Sequence, residues 1–441
     1  MAIEVLTIEV GSTITKVIGF ARLPGGGFSA IARGFAPTSL ADVGIGVDQA
    51  LADLKQPWDQ AEIFINSSAA GGLRMTVHGL TASMTARAAK EAALGAGAIV
   101  KLVTVGPLDN YQLDDIKRIS PNLILLAGGV DHGERHTVLE NAHKLADMRL
   151  NIPVLYAGNI DLQRPVVEIF GAGRVEIAEN IFPEVDVLNI EPLRRLIHEA
   201  FNRHIIHAPG MERLGQITKH PVLPTPGAVL LGAELFAKVA GDCMVFDVGG
   251  ATTDVHSVTQ GDPKWYSSQV QPEPLAKRTV EGDLGVFVNA ANLAKLALPN
   301  QPLPALEHLA AVPKTKEQIE LTRWLCCQAV EIAAKRHAGT VSQIYTPTGR
   351  RTIVKGKDLT AVSFIIATGG ALTQVPGAVD CIRRVCTGAK DSLLPEPGTT
   401  VLVDEQYIFS ALGTLAQFYP DDVAKSFNNF QRRKIRRLTC Q

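Results

Sequence analysis

The sequence carries almost no net charge, -1 from 43 Lys and Arg against 44 Asp and Glu. That balance excludes a nucleic-acid binder held by bulk electrostatics. No uncharged apolar run reaches the roughly 20 residues that a bilayer crossing needs. The start of the chain has no basic n-region. "AIEVLTIEV" holds two glutamates and reads as a strand, not a signal peptide. The six cysteines, Cys243, Cys326, Cys327, Cys381, Cys386 and Cys440, form no CxxC pair and no regular framework. That pattern predicts reduced thiols and a cytoplasmic protein. Cys326 and Cys327 are neighbours on a predicted helix, point in different directions and read as small apolar side chains. Walker-A and Rossmann GxGxxG loops are both missing, as is any short internal repeat.

What is present is a chain of 441 residues, 46% hydrophobic and 20% charged, able to bury large cores. Its length suggests about three domains of ~150 residues, or two larger lobes. The first strands, "EVLTIEV", "TKVIGFARL" and "FSAIARGFA", have strand-length apolar patterns, and the turn "PGGG" separates the last two. They predict an antiparallel meander. Between 60 and 190, strands such as "PNLILLAGG" and "IPVLYAGN" alternate with helical stretches, so an α/β layered region is expected, with "RVEIAENIF" as a further strand. Residues 315–338 predict a long amphipathic helix ended by Gly339. "QYIFSALGTLAQF" predicts a late helix.

Two stretches share one design. "LTIEVGSTITKV" and "VFDVGGATTDVHSV" are each a strand ending in a carboxylate, a Gly turn, hydroxyls and a second strand. The carboxylates are Glu9 and Asp247. The turns contain Gly11, then Gly249 and Gly250. The hydroxyls are Ser12, Thr13 and Thr15, then Thr252 and Thr253. Glycine lets backbone N–H groups approach a phosphate, and a carboxylate at a strand end can hold hydrated Mg²⁺. Lys16 adds a cation beside the first turn. In the second hairpin Asp254 joins Asp247, and packed carboxylates repel unless a cation or donor offsets them. A third element, "SFIIATGGALT", places Gly369 and Gly370 between a buried strand and a helix, where a nucleoside or phosphate can rest on backbone amides. If a nucleotide binds, the two hairpins clamp it.

This order is that of the actin-like ATPase superfamily, and the sequence resembles most closely its MutL/GlmL family. The stretches that carry the resemblance are "SSAAGGLRM", "TARAAKEAALGAGA", "PNLILLAGGVDHG", "PTPGAVL", "FDVGGATTDVHSV", "KRTVEGDLG", "KRHAG" and "ATGGAL". Together they span most of the chain. The resemblance implies a two-lobed, ribonuclease-H-like α/β fold with an inserted α/β region. Lobe I would be 1–225, lobe II 226–404, and 405–441 a helix returning to lobe I plus a basic tail. It implies ATP and Mg²⁺ as cofactors. Phosphate or nucleoside would meet Gly11, Ser12, Thr13, Lys16, Gly249, Gly250, Thr252, Thr253, Gly369 and Gly370. Glu9 and Asp247 would face the metal. The family is encoded beside adenosylcobalamin-dependent glutamate mutase and related aminomutases. Its members look like chaperone-like reactivating ATPases with a mutase as protein partner, and a homodimer is left open. The superfamily's usual residue at the first turn is Asp, so Glu9 departs from the pattern by one C–C bond, about 1.5 Å.

Other readings compete. Asp247, Asp254 and Glu281 are the catalytic candidates. Glu281 or Asp283 in "TVEGDLG" could orient a water, or simply form a turn. Gly128, Gly129 and Asp131 end a buried strand, where open sheets bind ligands, although a plain turn is favoured. "SSAAGG" is a partner-facing loop or an ordinary one. His132, His136 and His143 read as a solvated helix face. "DVHSVTQG" nearly makes a cobalamin-binding Asp-x-His-x-x-Gly motif and reads as coincidence. The tail "RRKIRRL" reads as a solvated end. Rival functions are an ATP-dependent cyclic-amide hydrolase of hydantoinase/oxoprolinase type and a small-molecule kinase.

Overall fold

The architecture comes from a computed structural model, which describes residues 1–39, 41–68, 72–171, 173–205, 209–347, 349–387, 391–432 and 437–439. Residues 69–71 of the "SSAAGG" loop, 433–436 of the basic tail and Cys440 lie outside the described residues.

The chain opens with the predicted meander: β1 (Val5–Val10), β2 (Ile14–Arg22) and β3 (Phe28–Pro37), followed by α1 (Val43–Asp53) and β4 (Glu62–Ser67). Every residue of β1 is buried, as an apolar run covered on both faces requires. Asp42 starts α1 by accepting from the Gly44 N–H at 2.8 Å.

The inserted region follows: β5 (Arg74–Gly79), α2 (Thr85–Gly95), β6 (Ile99–Val105), α3 (Asn110–Ile119), β7 (Leu123–Leu126), α4 (His136–Asp147), β8 (Val154–Tyr156), α5 (Gln163–Phe170) and β9 (Val175–Ile177). Its five strands are all parallel and lie in the order β6-β5-β7-β8-β9. Renumbered from its own first strand this is 2-1-3-4-5, a doubly wound order. The strand expected over 174–182 stops at Ile177. Beyond it, Asn180 takes over the bonding: its Nδ2 donates to the Gly129 carbonyl at 3.0 Å, and its Oδ1 accepts from the Phe182 N–H at 3.0 Å.

After α6 (Glu191–Ile205) and α7 (Met211–Ile217), β10 (Leu223–Pro224) rejoins the first sheet. That sheet runs β10-β4-β1-β2-β3, with β1 antiparallel to β2 and parallel to β4. Next come α8 (Thr225–Ala240), β11 (Cys243–Val248), β12 (Thr253–Val258), β13 (Ala276–Glu281), α9 (Ala290–Ala297), α10 (Lys316–His337), β14 (Thr340–Thr346), β15 (Gly349–Lys355), β16 (Phe364–Thr368), α11 (Gly370–Gln374), β17 (Thr400–Val403), α12 (Ile408–Leu415), α13 (Pro420–Arg432) and β18 (Arg437–Thr439). The second sheet runs β13-β12-β11-β16-β17-β18, with β11 antiparallel to β12 and parallel to β16. The first five strands of each sheet, read in chain order, give the same topology, 3-2-1-4-5 with strand 2 reversed. This repeated ribonuclease-H-like sheet is the two-lobed, actin-like α/β fold.

An apolar cluster joins the two sheets. Phe20, Phe28 and Phe64 of the first meet Val245, Ile366 and Leu402 of the second through Phe236 on α8, Phe409 on α12 and Phe427 on α13. The predicted long helix is α10, started by a capping box in which Thr315 and Gln318 exchange side-chain and backbone bonds.

One reading from the cysteines is corrected. Cys327 on α10 is disulfide-bonded to Cys381, with Cα atoms 4.9 Å apart, inside the range such a bridge requires. The helix turns Cys326 into the core and Cys327 toward the facing 3₁₀ segment Ala378–Thr387. Cys243 and Cys326 are free and buried. Among the described residues, no helix is long and apolar enough to cross a membrane.

Candidate active site between two phosphate turns

The two hairpins superimpose in their local logic. Glu9 is the penultimate residue of β1, and Asp247 the penultimate residue of β11. The same bond closes each turn: Gly11 N–H donates to the Ile14 carbonyl at 3.2 Å, and Gly249 N–H to the Thr252 carbonyl at 2.9 Å. A Cβ on Gly11 would collide with that Ile14 carbonyl, so the tight turn demands glycine. The turns face one another. A Cβ built on Gly250 would lie 3.5 Å from Thr13 Oγ1.

The cross-strand partners differ, and the difference sets the electrostatics. Glu9 lies opposite Lys16, and Asp247 lies opposite Asp254. Directly opposed side chains share one face of the sheet. Lys16 Nζ donates to Glu9 Oε1 at 2.5 Å, and the other oxygen of Glu9 accepts from Ser410 Oγ of α12. Asp254 is held by Arg278 of β13, whose Nε and Nη2 reach its Oδ1 at 2.9 and 2.6 Å. Both members of that pair are buried. Removing one partner of such a pair costs about 3–5 kcal/mol, so Asp254 is fixed in place.

Three carboxylates of the hairpins, Glu9, Asp247 and Asp254, therefore face two cations, Lys16 and Arg278, each already bonded to one of the three. Asp247 is left over. Burial, reinforced by the Asp254 and Glu9 charges and only partly offset by Lys16, pushes its carboxyl up to about 7. Burial alone would lower the Lys16 amine, but the Glu9 and Asp247 charges outweigh it and leave it raised.

The third wall is the loop after β16. Gly369 adopts φ +85°, and a Cβ there would lie 2.5 Å from Asp247 Oδ1. Gly370 presents open space, with Tyr407 Oη 3.5 Å from where its Cβ would be. Tyr407, itself at φ +54°, places its ring 4.6 Å from Lys16 Nζ. Asp404 fixes the start of α12, accepting from the Ile408 and Phe409 N–H groups at 2.9 and 3.0 Å and from Thr368 Oγ1 at 3.1 Å.

Most predicted site residues thus meet. Glu9, Gly11, Thr13, Lys16, Asp247, Gly249, Gly250, Gly369 and Gly370 surround one space, and Ser12 lies on the first turn between Gly11 and Thr13. Thr252 is on the second turn, where its hydroxyl donates to Asp254 Oδ2 at 3.1 Å. Thr253 is a correction. It is fully buried, and its hydroxyl donates to the Leu284 carbonyl at 2.8 Å, because β12 turns it inward. Glu281 ends β13 opposite Thr253, and Arg336 binds both its carboxylate (2.6 Å) and that of Asp283 (2.9 Å). Ion pairs at such a wet surface contribute only about 0.2–1 kcal/mol.

The remaining candidates lie elsewhere. Asp131 accepts from the Ile160 N–H at 2.9 Å and from Asn180 Nδ2 at 2.8 Å, which makes it part of a turn. His132 pairs with Asp161 at 3.1 Å. His256 is wholly buried inside β12, which agrees with reading "DVHSVTQG" as coincidence. Among the described residues, no trio of His, Cys, Asp and Glu forms a metal cage. An unneutralised, half-buried carboxyl beside Glu9 nevertheless suits a hydrated Mg²⁺, which takes oxygen ligands and few of them from protein. Ser410, Tyr407, Asp404 and Arg278 were not singled out from the sequence. The one signal for Ser410 and Tyr407 is a pair of polar side chains in the otherwise apolar "YIFSALG".

The family model described as MutL protein matches residues 5–430. Protein MutL of Clostridium tetanomorphum is 34% identical over 456 aligned positions, covering 96% of this chain and 98% of that protein. Among solved structures, nucleotide-free acetone carboxylase is 14% identical, covering 94% of this chain and 70% of its own, at a TM-score of 0.40. The nucleotide-free diol dehydratase-reactivating factor is 12% identical, covering 95% of this chain and 100% of its own, at a TM-score of 0.36. The sequence match spans both glycine hairpins and the loop after β16, and by it the chain belongs to the MutL protein family.

Proposed function

We propose that this chain is a chaperone-like ATPase that reactivates an adenosylcobalamin-dependent aminomutase of the glutamate mutase type. The lobes would be 1–225 and 226–404, with 405–441 returning to the first. The phosphates of ATP would lie against Gly11, Ser12, Thr13, Gly249, Gly250 and Thr252, and the nucleoside against Gly369 and Gly370. Glu9 and Asp247 would hold Mg²⁺ through water. When bound, that ion would bridge phosphate oxygens and offset charge on the transferring group. The observation that carries the reading is Asp247, a half-buried carboxyl with no cation of its own where the two turns meet.

Each side chain then has a task. Lys16, pinned by Glu9, supplies positive charge at the mouth of the first turn. Arg278 holds Asp254 still. Asp247 aligns water at the phosphate end of the site. Closure around nucleotide would draw α8 and α12 together with the two sheets, and a partner bound to both lobes would feel it. Cofactors carry radical chemistry themselves, and His256 is too deeply buried to ligate a corrin. A machine that opens a damaged holoenzyme and lets spent cofactor leave fits these parts better than a mutase does.

Glu9 tests the first hairpin. Its carboxylate spans Lys16 and Ser410. Glu9→Ala frees both and is expected to lower ATP turnover by roughly 10²-fold. Glu9→Asp keeps the charge next to Lys16 and is expected to retain turnover. A phosphate-release assay separates the two. Parent-like turnover in Glu9→Ala would make the first hairpin purely structural.

The whole reading is tested on a mutase. An aminomutase from the same genome, blocked with cyanocobalamin, is expected to regain activity over time with this protein, ATP, Mg²⁺ and fresh coenzyme. Asp247→Asn is expected to give no recovery. Failure to bind or rescue any candidate mutase, together with ATP-driven opening of a cyclic amide, would replace this function by the hydrolase reading.

A further inference from the structure

Arg278 does more than neutralise Asp254. Its third nitrogen, Nη1, donates to the carbonyl of Leu94 at 2.7 Å. Leu94 lies in the last turn of α2, the first helix of the inserted parallel domain, where carbonyls lack partners within the helix. Arg278 is 3% exposed. One planar, rigid fork thus ties the second phosphate turn to the inserted domain.

The segment just before that strand, with Lys277 on it, grips α2 further along. Arg87 Nη2 donates to the Pro272 carbonyl at 2.7 Å, and Arg87 also pairs with Glu273. Lys277 binds Glu273 at 2.8 Å and reaches Glu91 at 3.4 Å. These groups are largely buried, so the contacts form a tight, oriented latch rather than a screened surface pairing. On its other side α2 packs against β5 and β6 and leads straight into β6. A shift of Asp254 has a bonded route to a helix that is part of the inserted sheet's framework.

Resting on the proposed ATP site, we infer that Arg278 is a positioning residue that couples the second phosphate turn to the inserted domain, making residues 74–177 the arm that responds to nucleotide. Thr252 on the turn bonds Asp254, Asp254 bonds Arg278, and Arg278 bonds the end of α2. A ligand that repositions the turn must strain or relieve that chain. It shifts the arm only to the extent that the two positions differ in affinity for it.

The test is amide hydrogen exchange on the full chain, with and without ATP and Mg²⁺, read over residues 85–95, alongside calorimetric titration of ATP. In the parent, ATP is expected to slow exchange at the C-terminal turn of α2. Arg278→Met, which also strips Asp254 of its cation, is expected to bind ATP more weakly and, at saturating ATP, to lose that slowing. Arg278→Lys keeps a cation beside Asp254 but gives up the fork that also reaches Leu94. It is the conservative variant should Arg278→Met fail to fold, and it too is expected to lose the slowing. An ATP-bound parent with unchanged exchange over 85–95, or an Arg278→Lys variant with the full parental change, overturns the inference and leaves the ATP site standing. A parent that binds no ATP overturns both.

Discussion

Asp247→Asn is expected to stop Mg²⁺-dependent ATP hydrolysis and, without metal, to make the protein more stable at pH 8. Both effects come from one feature, a half-buried carboxyl that shares its surroundings with Glu9 and Asp254 and owns no cation. For turnover, the loss of a charge aimed at the reacting phosphate is of the size seen for other preorganised electrostatic groups, roughly 10²–10³-fold. For stability the sign is the reverse of the usual carboxylate. The carboxyl titrates near 7 when folded, against 3.8 ordinarily. Between those values the folded chain holds a proton that the unfolded chain has released. Stability therefore falls as pH rises from about 4 to 7 and stays low above that. The size is on the order of a few kcal/mol. Asparagine keeps the shape and drops the charge. In EDTA its melting temperature is expected to exceed the parent's at pH 8, with the gap shrinking toward pH 4. In Mg²⁺ and ATP the order reverses, because only the parent gains binding energy. A variant no more stable than the parent at pH 8 would mean that Asp247 has a partner in solution.

Gly413→Ala is expected to be among the most damaging single-methyl additions in the chain. α8 and α12 cross with almost no side chain between them. A Cβ on Gly413 would overlap the Ala228 carbonyl oxygen and lie 3.1 Å from the Gly232 N–H, both main-chain atoms that cannot rotate away. The helices must separate, which opens the apolar cluster that joins the two sheets. Overpacking of this kind costs about 1–3 kcal/mol and more where backbone must move. A fall in melting temperature on the order of 5 °C is expected. ATP binding is also expected to weaken, since α12 carries Ser410 to Glu9. Gly282→Ala is the control: nothing lies within 4 Å of its Cβ and its φ is ordinary. Equal melting curves for Gly413→Ala and Gly282→Ala would refute the close crossing.

What could be read locally was read well, for a physical reason. A hairpin pairs residues only a few positions apart, so its acid, turn and hydroxyls appear in one short string, and both glycine hairpins were visible. α10 was visible because its apolar spacing and the glycine that follows it lie along one segment. The family's motifs in order then named the two-lobed fold. The first meander, both hairpins and the alternating strands of 60–190 followed from these segments, but not the edge strands β13, β17 and β18 or the strand order, which depends on how helices cover the faces.

Other features were settled only by packing. Ser410 meets Glu9 across 401 positions of sequence, and nothing along the chain links them until α12 lies on β1. Thr253 looked like a phosphate ligand beside Thr252, yet every residue of β12 is buried. On a strand covered on both faces, polarity no longer reveals which way a side chain points. Cys327 and Cys381 lie 54 residues apart and met only when α10 met its neighbour. Most of all, the choice of which carboxylate stays unpaired was tertiary. The sequence places three acids and one cation, Lys16, in the two hairpins. Lys16 goes to Glu9 across a strand pair and Arg278 comes to Asp254 from a third strand, and that placement left Asp247 as the carboxyl without a cation of its own.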